Sequence, residues 1–428
     1  MTLAEVFLWG TKVGTVSMED GGRVGVFEYD RGFLHSGIEV SPIMMPLSER
    51  VYSFPELRDI SFHGLPGMLA DSLPDKFGNA VINSWLEANG RAPDSINAVE
   101  RLCYTGKRGM GALEFVPVLG PDSTFSDKIE LDSLVKLSSD ILAKREKVVH
   151  ASSDRAGMEQ ILRVGTSAGG ARAKAIIAWN EETGGIRSGQ IDAGSGYGYW
   201  LIKFDRVTGN GDKEGEDPPQ YTNIEYAYHL MAKAAGIEMA ECRLLKDGDR
   251  YHFMTKRFDR TENGDKLHMQ SLGALAHFDF NDPGVNSYEQ AARIMNRLRL
   301  PKESYVQLFK RAVFNVLGYN LDDHVKNLSF LMDREGKWSF APAYDLSYAY
   351  NPDGAWTSSH QMSVHGKRAG ISRDDLLEFG VTIGLKKNEA KEALSNTEKA
   401  VKQWPEYAAM AGVSASIIQK VSNVILKS

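Results

Sequence analysis

The sequence predicts an α+β fold of two main lobes, because segments typical of strands come first and segments typical of helices follow. Residues 161–260 contain short apolar runs separated by glycine turns, whereas the chain beyond residue 285 mostly has helical spacing of apolar residues. The 428 residues are 42% hydrophobic and 25% charged, which is enough for more than one buried core. We expect three segments, at residues 1–125, 126–285 and 286–428.

The first segment is predicted to be a small domain of strands and helices. Residues 3–29 alternate apolar runs with glycine turns, which predicts a β-meander. Pro74 and Asp75 begin a predicted helix that runs to Leu86, with Gly90 just past its end. The polar, turn-rich residues 120–128 are a predicted linker.

The later segments are predicted from the spacing of apolar residues that is typical of strands or of helices. Strands around glycine turns are expected at 163–179 and 196–205, with a tight turn at 181–185 between them, and hairpins are expected at 242–259, turning at 246–249, and at 328–345. Helices are expected from 131 to 142, 223–236, 289–300, 303–320, 386–404 and 414–427.

Charge and cysteine content exclude several classes of protein. The formal net charge of −6 gives no general attraction to nucleic acid or anionic membrane, although a local basic patch remains open. Cys103 and Cys242 have no neighbour for a metal knuckle or redox pair. The start MTLAEVFLWG lacks a basic region, and no run of 18 apolar residues occurs, so we expect no signal peptide, no membrane span and a cytoplasmic protein.

The most informative segment contains Asp322 and Asn327, which have the D-x-x-x-x-N spacing of a kinase catalytic loop. In such a loop the Asp accepts the proton of the attacking hydroxyl and the Asn holds Mg²⁺. The structural alternative is a solvated polar turn after a helix. Asp345 follows eighteen residues after Asn327, directly after an apolar run, and could be the second Mg²⁺ ligand or simply the cap of a turn.

Three features upstream fit the same chemistry. Residues 165–172 form a glycine-rich turn, in which backbone N–H groups can approach phosphate oxygens. Lys203 lies in an apolar strand and could pair with ATP phosphates, or face outward on an edge strand. Glu225, on the following helix, could pair with that lysine but is more simply a residue favoured near a helix start. Their order along the chain is that of a protein-kinase core.

With these residues the chain resembles the HipA family of serine/threonine kinases, the toxins of HipA–HipB toxin–antitoxin pairs. The resemblance covers nearly the whole chain and implies a bilobal protein-kinase-like (HipA) fold with a small N-terminal α/β subdomain, a sheet-containing nucleotide lobe and an all-α C-terminal lobe. It is carried by GTSAGGARAK (165–174), Ile202-Lys203, RFDR (257–260), DDHVKN (322–327), Tyr344-Asp345 and the N-terminal segment 62–78.

The resemblance also implies roles for individual residues. Asp322 would be the catalytic base, Asn327 and Asp345 would bind Mg²⁺, and Lys203 would contact ATP phosphates. Ser167 falls at the family's autophosphorylation position. His324 is interpreted as a structural hydrogen-bonding residue rather than a base. Other expected nucleotide contacts come from the glycine-rich loop and the catalytic loop: Ser167, Ala168, Gly169, Gly170, Ala171, Arg172, Lys174, His324 and Lys326.

Members of this family phosphorylate protein serines, and some act on aminoacyl-tRNA synthetases. They are neutralised by a small helix-turn-helix antitoxin of the HipB type, and the complex represses its operon by binding operator DNA. We expect the same partners here, with ATP and Mg²⁺ as cofactors. Two alternatives stay open at this point: a small-molecule kinase on the same catalytic plan, and a catalytically silent nucleotide-binding co-repressor.

Overall fold

The computed structural model describes residues 1–120, 129–142, 155–165, 172–190, 193–207, 211–212, 215–216, 220–261 and 263–426. The chain divides into two compact units. The first contains Met1–Pro219, Leu245–Gln270 and Met332–Gly336, and the second contains Gln220–Leu244, Ser271–Leu331 and Lys337–Ser428. The predicted α+β composition is confirmed.

The first sheet of the first unit is antiparallel, with strand order β3-β2-β1-β4. Its strands are Thr2–Leu8 (β1), Thr11–Met18 (β2), Val26–Tyr29 (β3) and Leu113–Val116 (β4). Ala4, Val6 and Leu8 are buried and alternate with less buried residues, which is the pattern of a strand with one face on a core. The predicted meander over residues 3–29 is confirmed, and β4 joins it from a distant part of the chain.

Four helices of the first unit lie between β3 and β4 in sequence. They are Asp59–Phe62 (α1), Gly67–Ala70 (α2), Lys76–Ala88 (α3) and Ala98–Thr105 (α4). The predicted helix after Pro74 is confirmed as α3. The carboxylate of Asp75 caps it by accepting the backbone N–H of Gly78 at 3.0 Å, and Gly90 follows its end with a φ of +72°.

A second, five-stranded sheet has the order β10-β11-β7-β5-β6. The predicted hairpin that turns at residues 246–249 is confirmed as β10 and β11, and β8 and β9 form a separate two-stranded sheet. The strands in this part of the chain are Lys174–Trp179 (β5), Ile186–Ser188 (β6), Gly198–Lys203 (β7), Gly211–Asp212 (β8), Gly215–Glu216 (β9), Cys242–Asp247 (β10) and Arg250–Lys256 (β11).

Two helices pack against this sheet, Leu131–Leu142 (α5) and Arg155–Gly165 (α6). The helix predicted from residue 131 is confirmed as α5. The interpretation of residues 163–179 as strand around glycine turns is wrong at its start, because residues 163–165 form the last turn of α6. Met158, Ile161 and Leu162 are buried at helical spacing in the same core, which explains why this segment is helical.

The second unit is mainly helical, and the hairpin predicted at residues 328–345 is confirmed. Its helices are Tyr221–Ala234 (α7), Leu272–Ala276 (α8), Tyr288–Arg297 (α9), Lys302–Leu317 (α10), Arg373–Thr382 (α11), Lys387–Lys402 (α12), Trp404–Met410 (α13) and Ala415–Ile425 (α14). The remaining strands of the chain are His268–Ser271 (β12), Ser329–Met332 (β13) and Trp338–Phe340 (β14). Within the described residues, no helix is both long enough and apolar enough to cross a bilayer.

The core of the second unit centres on an aromatic contact between α7, α10 and α13. The ring of Tyr228 lies 5.4 Å from that of Trp404 and 5.9 Å from that of Phe314, both in edge-on geometry. All three side chains are fully buried. Such edge-on pairs add to the free energy gained by burying their area, so this contact fixes α10, the helix that leads into the predicted catalytic loop.

A buried ion pair in the first unit joins the segment before β4 to the segment after β11. Asp259 is fully buried and accepts hydrogen bonds from Arg257 Nη2 at 2.6 Å, Arg260 Nη1 at 2.9 Å and the backbone N–H of Gly111 at 2.7 Å. Burial alone would raise the pKa of Asp259, but Arg257 and Arg260 outweigh it and hold the pKa well below its ordinary value.

Replacing Asp259 by Asn should lower the free energy of unfolding by about 3–5 kcal/mol, because two buried guanidinium groups lose their counter-ion. In the wild-type protein this contribution is present above the ordinary carboxyl pKa and is lost as pH falls towards the depressed folded-state pKa. Urea unfolding of both proteins, followed by circular dichroism at neutral pH and in acid, measures the difference.

Asp265→Asn is the matched control in the same unit. Asp265 pairs with Arg334 at 3.1 Å, but both side chains are more than half exposed, so its loss should change the unfolding free energy by less than about 1 kcal/mol. Equal losses in the two variants would contradict a special role for the buried pair.

Candidate active site

The predicted catalytic loop lies in the second unit, between α10 and β13. Gly318 ends α10, and Tyr319 then takes a φ of +51° that turns the chain. The backbone N–H of Leu321 bonds to the carbonyl of Ala349 at 3.0 Å, which fixes the start of the loop. Residues Val325–Asn327 form a turn of 3-10 helix before β13. The loop is thus held at both ends by backbone hydrogen bonds and regular structure.

Asp322 and Asn327 are brought together by one hydrogen bond. The side-chain amide of Asn327 donates to the main-chain carbonyl of Asp322 at 2.9 Å. Because the amide nitrogen is engaged there, Oδ1 is the atom of Asn327 that could ligate a cation. The carboxylate of Asp322 accepts the indole N–H of Trp356 at 2.6 Å, and its Oδ1 lies 3.8 Å from His324 Nε2.

The segment that contains Asp345 is tied to the same loop through Tyr344. The hydroxyl of Tyr344 lies 2.5 Å from the carbonyl oxygen of Lys326 and 2.5 Å from the hydroxyl of Ser329. Asp345 itself has a φ of +56°, in the left-handed region that few non-glycine residues adopt. Such conformations persist only where the surroundings enforce them, and they cluster at functional sites.

Asp323, next to the predicted base, is a buried anchor that the spacing argument did not identify. It is 2% exposed and accepts hydrogen bonds from Tyr288 Oη at 2.9 Å, His360 Nδ1 at 2.9 Å and the backbone N–H of Gln361 at 2.8 Å. Burial, reinforced by Asp323, raises the pKa of Tyr288 well above its ordinary value, so its hydroxyl stays protonated as a donor.

A small cavity of about 10 Å³ lies beside this loop, which is space for about one water molecule. Arg311 and Asp323 are charged groups on its wall. Arg311 is 2% exposed, donates to the carbonyl of Ala341 at 2.6 Å and stacks 3.9 Å from the ring centre of Phe340. Burial lowers the pKa of Arg311 to about 9. The cavity is lined by Tyr288, Arg311, Asn315, Asn320, Asp323, His324, Asn327, Leu328, Ala343, Tyr344 and Leu346.

His324 and Lys326 both contact the aromatic ring of Phe280. The imidazole of His324 is 5.7 Å from this ring, and Lys326 Nζ is 4.5 Å from its centre. Both residues therefore pack against the segment that follows α8, and the Lys326 contact has cation–π geometry.

The predicted nucleotide residues of the first unit include two buried lysines on adjacent strands. Lys174 on β5 and Lys203 on β7 are direct cross-strand neighbours and are 2% and 8% exposed. β7 is a central strand of its sheet, so Lys203 is not the outward-facing residue of an edge strand. Lys174 Nζ lies 3.3 Å from Asp75, and Lys203 Nζ lies 5.8 Å from the ring centre of Phe253.

Asp75 supplies a carboxylate to Lys174, and the two lysines place two positive charges in one buried part of the sheet. Arg172, half-buried, lies two residues before the start of β5. Ser167, Ala168, Gly169, Gly170 and Ala171 lie outside the described residues. Glu225 lies on α7 in the second unit and is 3% exposed.

The described residues contain no group of three or more His, Cys, Asp or Glu side chains arranged to hold a metal ion. Mg²⁺ in phosphoryl-transfer sites needs only one or two protein ligands, because phosphate and water oxygens complete its shell. The amide oxygen of Asn327 and the carboxylate of Asp345 have the hard-oxygen chemistry that such an ion requires, so these residues fit the ion as a donor set.

Comparison with known proteins gives the family. The HipA N-terminal domain matches residues 4–116, and the HipA-like C-terminal domain matches residues 166–404. A chain from the solved complex of the Shewanella oneidensis MR-1 toxin–antitoxin proteins HipA and HipB with operator DNA is also similar, with a TM-score of 0.68 and 19% identity over 99% of this chain and 96% of that chain. This likeness confirms the predicted HipA fold.

Two curated relatives carry names that describe them as candidate kinases. Y4mE of Sinorhizobium fredii is 27% identical over 202 residues, which cover 43% of this chain and 47% of the relative. A protein of Haemophilus influenzae is 27% identical over 221 residues, which cover 43% of this chain and 63% of the relative. Each match thus spans less than two thirds of the relative's length.

Removing the hydroxyl of Tyr344 should loosen the tie between Asp345 and the loop. We expect Tyr344→Phe to lower the free energy of unfolding by about 1–2 kcal/mol, because the carbonyl of Lys326 loses a donor in a half-buried position. Chemical denaturation of the two proteins measures this change. Tyr407→Phe, which removes an exposed bond to Gln403, is the control and should lose less than about 0.5 kcal/mol. Equal losses of unfolding free energy in Tyr344→Phe and Tyr407→Phe would contradict a role of the Tyr344 hydroxyl in holding the loop.

Proposed function

Because the chain belongs to the HipA family, we propose that it is an ATP- and Mg²⁺-dependent kinase that phosphorylates serine or threonine of a cellular protein. The observation that carries this proposal is the closed loop from Asp322 to Asn327, tied through Tyr344 to the segment of Asp345. A solvated polar turn would not need a buried anchor at Asp323, a left-handed Asp345 and an indole donor on Asp322.

We assign Asp322 the role of accepting the proton. The serine or threonine oxygen attacks the γ-phosphorus of ATP, the bond from that phosphorus to the β,γ-bridging oxygen breaks, and ADP leaves. The hydroxyl proton passes to the carboxylate of Asp322. Asn327 and Asp345 would hold Mg²⁺, which when bound neutralises charge on the phosphates. The protein then contributes mostly positioning and electrostatic stabilisation.

We assign the phosphate contacts of the first unit to Lys203, Lys174 and Arg172, together with residues 167–171. The position of Lys174 and Lys203 on adjacent strands supports this role, because two ammonium groups in one buried region attract the negative charge of phosphate. His324 and Lys326 complete the proposed set near the catalytic loop.

We also propose that this chain is a toxin neutralised by a HipB-like helix-turn-helix antitoxin, with operator DNA bound through that complex. The fold shared with the Shewanella oneidensis complex supports it. A formal net charge of −6 agrees with DNA contact made mainly by the partner. An aminoacyl-tRNA synthetase is the first protein substrate to test.

Asp322→Ala should bind ATP with nearly unchanged affinity but transfer no phosphate, because the base is lost while the proposed Mg²⁺ ligands remain. Asp345→Asn should instead weaken Mg²⁺-dependent ATP binding. Calorimetry measures the affinity, and incubation with labelled ATP and a mixture of cellular proteins measures transfer.

Asp374→Asn is the control, since Asp374 is an exposed carboxylate in the first turn of α11 and should leave both quantities unchanged. Full transfer by Asp322→Ala would refute the proposed base, and unchanged ATP affinity in Asp345→Asn would refute the proposed ligand. If metabolites but no protein become labelled, the substrate is a small molecule and not a protein.

Ser167 should become phosphorylated when the protein is incubated with ATP. The modification adds about −1.5 to −2 charges beside the proposed ATP phosphates, so like-charge repulsion should reduce ATP affinity and turn the enzyme off. Mass spectrometry of the peptide measures the modification. Thr166→Ala should keep the phosphopeptide and Ser167→Ala should lose it. An unmodified Ser167 in active protein would refute autophosphorylation at this position.

A further inference from the structure

The chain after Asp345 returns to the catalytic loop and places an indole on the proposed base. Trp356 Nε1 donates a hydrogen bond to Asp322 Oδ1 at 2.6 Å. A carboxylate on a short side chain can otherwise rotate, and hydrogen bonds to an ionised acceptor are shorter and stronger than neutral ones. A donor on Oδ1 therefore fixes the plane of the Asp322 carboxylate, and with it the direction in which the second oxygen faces.

Gln361 holds the loop of Trp356 in place. Its side-chain amide donates to the carbonyl of Trp356 at 2.5 Å and to the carbonyl of Leu321 at 3.2 Å. Leu321 directly precedes Asp322, so one buried amide joins the residue before the base to the residue that contacts the base. Gln361 is 3% exposed, and a buried polar bridge of this kind has little freedom to rearrange.

Asp323 binds the same segment that contains Gln361. Its carboxylate accepts the backbone N–H of Gln361 at 2.8 Å and His360 Nδ1 at 2.9 Å. The two adjacent aspartates therefore have different surroundings. Asp323 is buried and fully engaged in holding residues 360–361, whereas the side chain of Asp322 is 27% exposed and receives the indole that those residues support.

We propose that Trp356 is the positioning residue of the phosphoryl-transfer site, fixing the orientation of the Asp322 carboxylate through its indole N–H. This inference rests on the proposed function, because orientation of Asp322 affects a rate only if Asp322 is the base. Hydrogen bonds from Asp323 through Gln361 and Trp356 to Asp322 tie the proposed base to the segment that follows Asp345. One continuous stretch of chain therefore positions both the proposed metal ligand and the proposed base.

The contact itself is tested without any activity, by NMR of protein labelled with ¹⁵N-tryptophan. Trp356→Phe identifies the indole signal of Trp356 by its loss. In Asp322→Ala that signal should shift and exchange faster with solvent, because its acceptor is gone, while the signal of Trp404, whose indole faces the carbonyl of Ile418 at 3.3 Å, should stay. An unmoved Trp356 signal in Asp322→Ala overturns the proposal.

The catalytic consequence is tested by kinetics of the full-length protein. Trp356→Phe should lower kcat by about 10- to 100-fold, the size expected for a misplaced catalytic group, while KM for ATP stays within about twofold. Trp356→His, which retains a ring N–H, should recover part of the loss. Trp85→Phe, on α3, controls for the removal of an indole.

In an Asp322→Asn background, Trp356→Phe should have no further effect on rate. A kcat of Trp356→Phe within twofold of wild type, with Asp322→Ala inactive, overturns the positioning role but leaves the proposed function intact. Full activity of Asp322→Ala would refute the proposed function instead. The NMR experiment would then still show whether the indole of Trp356 contacts Asp322.

Discussion

The buried carboxylate of Asp323 is the constraint on which the candidate site depends. It joins α9, through Tyr288, to the catalytic loop and to residues 360–361, and an unpaired charge at this depth would cost several kcal/mol. Because each of these groups must stay in place to satisfy it, the loop has one favourable geometry. The carboxylate of Asp322, next to it in sequence, is 27% exposed and is held by the indole of Trp356.

The candidate site was predicted from local spacing and sequence order. Asp322 and Asn327 have the D-x-x-x-x-N spacing of a kinase catalytic loop and Asp345 follows an apolar run, whereas α3 was predicted because Asp75 and Gly90 mark its ends. Trp356 and Asp323 could not be assigned in this way, since their contacts join residues 34 to 38 positions apart. Helix α6 was not predicted, and its last residues, 163–165, were interpreted as strand because the glycines after them suggested strands around turns.

The first unit uses charge in two contrasting ways. Asp259 is surrounded by two guanidinium groups and a backbone donor, so its buried charge is balanced and serves stability. Lys174 and Lys203 are cross-strand neighbours of the same charge, and Lys174 forms an ion pair with Asp75 at 3.3 Å. The strand pattern alone predicts neither the ion pairs of Asp259 nor the one of Lys174, because each joins residues that are not neighbours in one strand.

The left-handed backbone of Asp345 has a consequence for substitution at this position. Asn tolerates that backbone conformation as readily as Asp does, and glycine does so more readily. Either replacement would preserve the local conformation and leave the hydrophobic cores untouched. A homologue with such a replacement would fold normally without the carboxylate, so correct folding alone does not report whether the proposed metal ligand is present.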